Sequence, residues 1–215
     1  MKKIEIISGI LLLMFLLFNS CTQESLHSGD LVFVASENSD FEKSIVEVTK
    51  SNDLNFSHVG IINVTDSGIF VVEAAPERGV VYTKFQDFKA ENKNNTLYIA
   101  SFKFEYRKYG QTAINRACSH LGKGYDYAFD LENDLYYCSE LVYDAYAHAT
   151  GKSIFFETPP MTFKKEESDD ILPYWIEYFE KLNIPVPEGK LGINPTGLSR
   201  SEKLKIENGK WKMEN

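Results

Sequence analysis

Segments with the pattern of β-strands occupy the first half of this 215-residue chain, and segments with the pattern of helices occupy the second half. The strand-like segments are apolar runs bounded by turn residues, at 30–35, 57–64, 69–75, 79–85 and 96–102. Helical periodicity predicts helices at 109–121, 139–149 and 169–182, the last with Ser168 as a candidate N-cap, and a short helix between 41 and 52. Strands that precede helices, instead of alternating with them, indicate an α+β fold. The stretch 185–215 carries Pro, Gly and Asn and is predicted to be mostly loop.

The composition fits one folded, acidic domain. Hydrophobic residues make up 43% of the chain and aromatic residues 13%, which supports a full apolar core and excludes a disordered chain. The net charge of −8 argues against a nucleic-acid partner, because proteins that bind nucleic acids present a basic face. The four histidines show no ligand spacing with cysteine or aspartate, so no metal or other cofactor is predicted.

The first twenty residues have the features of an export signal. Lys2 and Lys3 precede an apolar run at 6–18 that is too short to span a membrane comfortably. Cys21 follows this run and a small residue, which resembles the lipobox of bacterial lipoproteins. We therefore expect a signal peptide at 1–20, a lipidated Cys21 as the mature N-terminus, and a membrane-anchored position in the bacterial cell envelope. An ordinary secretory signal with an incidental cysteine is the alternative.

Cys138 lies at the start of the predicted helix 139–149. The apolar residues of this helix recur on one face, and Gly151 follows as a stop signal. The positive end of a helix dipole stabilises a thiolate, which is the nucleophilic form of cysteine. The position therefore favours a nucleophilic role for Cys138, although a single cysteine is otherwise most often a small buried hydrophobic residue.

One other cysteine, Cys118, lies in the mature domain. An exported protein could join two cysteines in a disulfide. Cys118, however, falls on the apolar face of the predicted helix 109–121, a position typical of a small core residue. We expect both thiols to be free.

The predicted hairpin brings a histidine and a glutamate together. A two-residue turn at Asp66-Ser67 makes Thr65 oppose Gly68. In that register, His58 and Glu73 project from the same face of the hairpin, on a diagonal of about 7–8 Å between Cα atoms. A change of one residue in the turn would place the two side chains on opposite faces, so the prediction depends on the turn length.

Cysteine, histidine and a carboxylate acceptor are the components of a cysteine hydrolase. Cys138 would be the nucleophile, His58 the acid and base, and Glu73 the group that orients the imidazole ring. The alternative for Glu73 is a structural ion pair with Arg78 or Lys84, because a carboxylate among apolar residues needs a partner.

Four short motifs resemble the YiiX-like family, a circularly permuted branch of the NlpC-type papain-fold cysteine peptidases and amidases. They are Ser57-His58-Val59-Gly60-Ile61, Val72-Glu73-Ala74, Tyr125-Asp126 and Tyr137-Cys138-Ser139-Glu140-Leu141. The resemblance implies a papain-like antiparallel sheet packed against helices, with the nucleophile at a helix N-terminus. The permuted domain would span 29–201, after a short tether at 21–28 and before a C-terminal tail at 202–215.

The resemblance also implies the chemistry. Ordinary papain-like enzymes have the cysteine first in the chain, whereas the order here is His58, Glu73, Cys138, as permutation predicts. The implied activity is hydrolysis of amide bonds in cell-wall-type or other small peptides, through a cysteine acyl-enzyme and without a cofactor. Tyr125 matches a family tyrosine that could polarise the substrate carbonyl or pack in the core, and Asp126 fits a structural capping role.

Two other functions stay open at this point. Other permuted members of the superfamily act on acyl chains, and the aromatic, Pro-rich segment 155–163 would suit an acyl groove as well as a buried crossover loop. Those members carry an Asn-Cys-Glu-His type of motif, which this chain lacks. A non-catalytic ligand-binding lipoprotein is the second alternative, and the intact set of Cys138, His58 and Glu73 argues against it.

Overall fold

Six antiparallel strands form one sheet, in the order β4-β3-β2-β1-β5-β6, in the computed structural model, which describes residues 26–51, 54–151, 155–165 and 168–206. The strands are β1 (Leu31–Ala35), β2 (His58–Thr65), β3 (Gly68–Ala75), β4 (Gly79–Lys84), β5 (Thr96–Phe102) and β6 (Leu204–Ile206). The helices of the described residues are α1 (Asp40–Thr49), α2 (Phe85–Glu91), α3 (Phe104–Arg107), α4 (Gly110–Cys118), α5 (Cys138–Thr150), α6 (Pro173–Lys181) and α7 (Pro195–Ser199). The predicted α+β class is confirmed.

The sheet is buried on both faces. Because side chains alternate along a strand, Leu31 and Phe33 of β1 face the larger apolar cluster, which includes helices α4 and α5. Val32 and Val34 face a smaller cluster that includes residues of helix α2. Burial on both faces explains why these strands read as continuous apolar runs in the sequence.

The hairpin of β2 and β3 has the predicted register. Thr65 pairs with Gly68, and Ile61 pairs with Val72. Gly60 lies on the same face of the hairpin as Val71, and a Cβ atom there would lie 2.4 Å from a methyl group of Val71. Glycine is therefore required at this position for close packing of the two strands.

The start of helix α6 differs from the prediction. The helix begins at Pro173, and Leu172 is the N-cap, so Ser168 is not the cap that the sequence predicted. Lys164 and Ile171 instead form an antiparallel bridge before the helix. Proline is favoured at the first helical position because its missing N–H would have no acceptor there, and this preference sets the helix start.

The C-terminal region contains more regular structure than predicted. Helix α7 and strand β6 both lie within the stretch that was expected to be mostly loop. Strand β6 pairs with β5 at the edge of the sheet, through Leu204 and Phe102 among others.

The N-terminal prediction concerns residues outside the described part of the chain. Residues 1–20 and Cys21 are not among those that the structure describes. Within the described residues, no helix combines the length and the apolar character that a membrane span requires.

Candidate active site

Cys138 is the first residue of helix α5 and is 5% exposed. Tyr137, before it, is extended, with φ −95° and ψ 169°. The Tyr137 N–H donates to Oε2 of Glu140 at 3.2 Å, which occupies one of the donors that a helix start leaves without an intrahelical acceptor. The predicted placement of the thiol at a helix N-terminus is confirmed.

The Glu140 side chain is held neutral near the thiol. It is 4% exposed, and burial raises its pKa to about 9 against the opposing effect of the hydrogen bond from Tyr137, with smaller upward contributions from Asp126, Asp144 and Asp130. A protonated Glu140 caps the helix without adding a second negative charge beside Cys138.

His58, the first residue of β2, connects Cys138 to Glu73. Its Nε2 lies 2.6 Å from Oε2 of Glu73, which is the contact that the hairpin register predicts. The Cys138 side chain lies close enough to the same ring to raise its pKa. Burial alone would lower the pKa of His58, but the hydrogen bonds and charges of Cys138 and Glu73 raise the pKa to about 10. The imidazole ring is therefore charged at neutral pH.

Glu73 has partners on both of its oxygens and is 2% exposed. Oε1 lies 3.2 Å from Nη2 of Arg78 and accepts a hydrogen bond from the Thr83 hydroxyl at 3.3 Å. Burial would raise the pKa of Glu73, but the hydrogen bond and charge of His58, the charge of Arg78 and the hydrogen bond of Thr83 together lower it. The orienting contact and the structural ion pair, which the sequence analysis treated as alternatives, are present together.

Tyr125 and Asp126 lie on a segment that runs beside the residues before the nucleophile. Tyr125 forms a bridge with Tyr136, and the Asp126 N–H donates to the Tyr136 carbonyl at 3.1 Å. Tyr125 is 7% exposed, and burial raises its pKa well above the ordinary value, so its hydroxyl remains a neutral donor. The Asp126 carboxylate accepts the N–H groups of Ala128 and Asp130 at 2.8 and 2.7 Å. Its role is structural, as predicted, but it stabilises a loop and does not cap a helix.

Two cavities meet at the site. One, of about 100 Å³, is lined mainly by apolar side chains together with Cys138. The other, of about 310 Å³, is lined by His58, Glu73 and mostly polar residues, including Arg78. Ser57 and Tyr125 line both cavities. The cleft is therefore apolar on the cysteine side and polar on the histidine side.

The segment 155–163 is partly a buried crossover loop and partly a groove wall, which were the two alternatives predicted for it. Phe155, Phe156 and Phe163 are buried in the main core, as a crossover loop would be. The residues 159–162 between them form part of the wall of the apolar cavity, as a groove would require.

Other walls of the apolar cavity were missed by the sequence analysis. Ile45 and Val48 come from helix α1, and Ile193 from the stretch before helix α7. These residues carry no motif, and their sequence distance from Cys138 hides their shared position.

The second cysteine is separate from the site. Cys118 and Cys138 are both free, as expected. Cys118 is partly buried at the end of helix α4, and burial raises its pKa above the ordinary value. Cys118 therefore provides an internal reference for the reactivity of Cys138.

Comparison with known proteins gives the family. Residues 25–206 match the family described as permuted papain-like amidase enzyme, YaeF/YiiX, C92 family. This chain belongs to the permuted papain-like amidases. The resemblance inferred from the short motifs is thereby confirmed, and with it an assignment to the amidases, and so to the hydrolases, at the level of the family.

Two relatives extend the comparison. The uncharacterized protein YiiX of Escherichia coli K12 is 26% identical over 132 residues, which cover 59% of this chain and 60% of that protein. The crystal structure described as metalloprotein YiiX from Escherichia coli O157:H7 superposes with a TM-score of 0.68 at 24% identity, and the match covers 86% of this chain and 98% of that one. This second likeness supports the permuted papain-like fold.

The word metalloprotein in that description calls for a test of the residues. Across the described ranges of this chain, no group of three or more His, Cys, Asp and Glu side chains is placed to hold a metal ion. His58 and Glu73 pair with each other, and a second histidine, His120, pairs with Asp144 at 2.9 Å. The described residues do not fit a metal site, and no step of the chemistry below uses one.

Proposed function

We propose that this permuted papain-like amidase hydrolyses amide bonds through an acyl-enzyme on Cys138. The observation that carries the proposal is the placement of His58 between Cys138 and Glu73, with its Nε2 2.6 Å from Oε2 of Glu73 and the thiol at a helix N-terminus. The raised pKa of His58 favours a charged imidazole ring beside the sulfur of Cys138.

The proposed reaction has two halves. The Cys138 sulfur attacks the carbonyl carbon, the C–N bond breaks, and the His58 imidazolium donates its proton to the leaving nitrogen. Water then attacks the thioester and gives a proton to His58, the C–S bond breaks, and the imidazolium–thiolate pair is restored. Glu73 accepts a hydrogen bond from the ring throughout and stabilises its charged form.

Attack on the carbonyl carbon places a negative charge on the carbonyl oxygen, and two hydrogen-bond donors are candidates for stabilising this oxyanion. The Cys138 N–H belongs to the first residue of helix α5 and has no intrahelical acceptor by its position. Tyr125 lines both cavities, and burial keeps its hydroxyl neutral. A preorganised donor of this kind contributes roughly 10²–10³-fold to turnover in enzymes that use one.

The polarity of the cleft suggests how a substrate would lie. The leaving group must be near His58, and the cavity on that side is polar. The acyl group must extend from Cys138, and the cavity on that side is apolar. We therefore propose substrates with a polar leaving group, including small peptides of the cell-wall type.

A second candidate function has one observation in its favour. The apolar cavity beside Cys138 would also suit the acyl chain of a lipid, in which case the enzyme would be a lipid hydrolase or an acyltransferase. The acyl-enzyme would be the same, and the bond broken in the first half would be an ester.

The two functions are separable with matched substrates. Purified protein is offered acetyl and octanoyl amides, the corresponding esters, and small peptides, with hydroxylamine as an added acceptor and Cys138→Ser as the blank. Cleavage of peptides or amides that depends on Cys138 is the expected result. Cleavage of octanoyl esters alone, or hydroxamate as the main product, would replace the amidase with the lipid enzyme. Binding without turnover of any substrate would support the non-catalytic lipoprotein.

We also propose that the protein is exported and anchored in the cell envelope through a lipid on Cys21. The support is the sequence: two lysines, an apolar run and a small residue precede this cysteine. The wild type is expected to partition into the detergent phase and to take up labelled fatty acid, and Cys21→Ser to do neither. Cys118→Ser is the matched control and should behave as the wild type. Equal labelling of the wild type and Cys21→Ser would refute the anchor.

A further inference from the structure

The two reacting side chains belong to elements far apart in the chain. His58 begins strand β2, and Cys138 begins helix α5. The proposed reaction requires these two element starts to keep a fixed separation. A third segment, residues 192–196, contacts both of them, and we refer to it as the clasp.

On the nucleophile side, both neighbours of Cys138 hold one residue of the clasp. The Ile193 N–H donates to the Tyr137 hydroxyl at 3.2 Å. The Ser139 hydroxyl donates to the Ile193 carbonyl at 2.9 Å. Tyr137, Ser139 and Ile193 are all buried, so water cannot easily replace either bond.

On the histidine side, one threonine of the clasp holds the chain just before His58. The Thr196 hydroxyl accepts the Phe56 N–H at 3.0 Å and donates to the Phe56 carbonyl at 3.3 Å. Thr196 and Phe56 are both fully buried. Phe56 precedes His58 by two residues, so this contact bears on the start of β2.

Hydrogen bonds and a proline restrict the clasp between its two ends. Asn194 caps helix α7 by accepting the Gly197 N–H at 2.7 Å, and Pro195 occupies the first turn, where its fixed φ suits a helix. The Ser199 hydroxyl donates to the Thr196 carbonyl at 2.7 Å, which closes this short helix. Because both ends of the clasp are hydrogen-bonded to their neighbours, a shift at one end should displace the other.

We propose that the clasp holds Cys138 and His58 at reacting distance, with Thr196 and Tyr137 as positioning residues. The inference rests on the proposed function, because it assigns a purpose to the pairing of these two side chains. A misplacement of about 1 Å at a reacting centre lowers rates by roughly 10²-fold, so small shifts of either end should be measurable.

The test uses the rate at which iodoacetamide labels Cys138 at pH 6, followed by mass spectrometry below the melting temperature of each variant. Thr196→Val keeps the shape and removes the hydroxyl, and we expect its labelling to slow by roughly tenfold or more. Thr196→Ser retains the hydroxyl and should restore the rate. Tyr137→Phe releases the other end and gives the same answer if Thr196→Val does not fold.

Thr150→Val is the matched control, because it makes the same change at the far end of helix α5, where the Thr150 hydroxyl donates to the Tyr146 carbonyl at 2.8 Å, and it releases neither end of the clasp. It should label at the wild-type rate. If Thr196→Val and Tyr137→Phe label as fast as the wild type while His58→Ala labels slowly, the clasp is refuted and the proposed function stands. If His58→Ala also labels at the wild-type rate, both are refuted.

Discussion

Replacing Cys138 with serine is expected to reduce kcat by roughly 10³-fold or more, because removal of a nucleophile in enzymes of this kind has effects of that size or larger. The change is small in volume, and the thiol lies at the edge of the core beside a cavity. The fold should therefore be retained. The measurement is turnover of whichever amide the substrate comparison identifies, together with the melting temperature.

Cys118→Ser is the control for a general effect of losing a thiol. It lies at the end of helix α4, is free and partly buried, and should retain wild-type turnover. Turnover in Cys138→Ser above about a tenth of the wild-type value, against the loss expected for a nucleophile, would remove Cys138 from that role.

Replacing Glu73 is expected to affect both turnover and stability. In Glu73→Gln, the amide oxygen can still accept a hydrogen bond but the charge is lost, and in Glu73→Ala both are lost. We expect kcat to fall in the order wild type, Gln, Ala, with a loss of roughly 10²–10⁴-fold for Ala, as for other orienting carboxylates. Because Glu73 is buried, Glu73→Ala should also lower the free energy of unfolding by about 3–5 kcal/mol.

The difference in stability between the wild type and Glu73→Ala should depend on pH. The pKa of Glu73 is lowered in the folded protein from an ordinary value of 4.5. A carboxylate with a lowered pKa contributes stability above the unfolded pKa and loses that contribution as the pH falls through the folded pKa. The gap in unfolding free energy between the wild type and Glu73→Ala should therefore be full from about pH 5 to neutral pH and should shrink as the pH falls below 4.5.

Arg78 separates the two roles of Glu73. Its side chain is 43% exposed, and it pairs with Glu91 as well as with Glu73. Arg78→Gln removes the ion pair but leaves the contact between His58 and Glu73 in place. It should lower stability by about 1 kcal/mol at most and leave turnover within a few-fold of the wild type.

A Glu73→Ala protein with near-normal turnover per folded molecule would make Glu73 a structural residue only.

The hairpin could be predicted from the sequence because its determinants are local. The two-residue turn sets the register, and the period of two along each strand then places His58 and Glu73 on one face. The start of helix α5 was predictable for the same reason, since the apolar face of the helix and Gly151 are close to Cys138 in the chain.

The remaining features of the site depend on contacts between distant residues. Thr196 and Phe56 are 140 residues apart, and Ser139 and Ile193 are 54 apart, so no local pattern indicates that they meet. The sequence prediction gave Glu73 a single partner, either His58 or a basic residue such as Arg78. A carboxylate has two oxygens, and in the structure each oxygen holds one of these partners. The predicted start of helix α6 was wrong, because Pro173 is a stronger signal for a helix start than a serine five residues earlier.

The central claim is that His58 activates Cys138, and the rate of alkylation of Cys138 as a function of pH tests it most directly. Since the pKa of His58 is about 10, the imidazolium is present from acidic to neutral pH and should keep Cys138 reactive at pH 6. The wild type should label there much faster at Cys138 than at Cys118, whose pKa is raised by burial, and His58→Ala should lose that advantage. Equal rates at Cys138 in the wild type and His58→Ala, or faster labelling of Cys118 than of Cys138, would contradict the account.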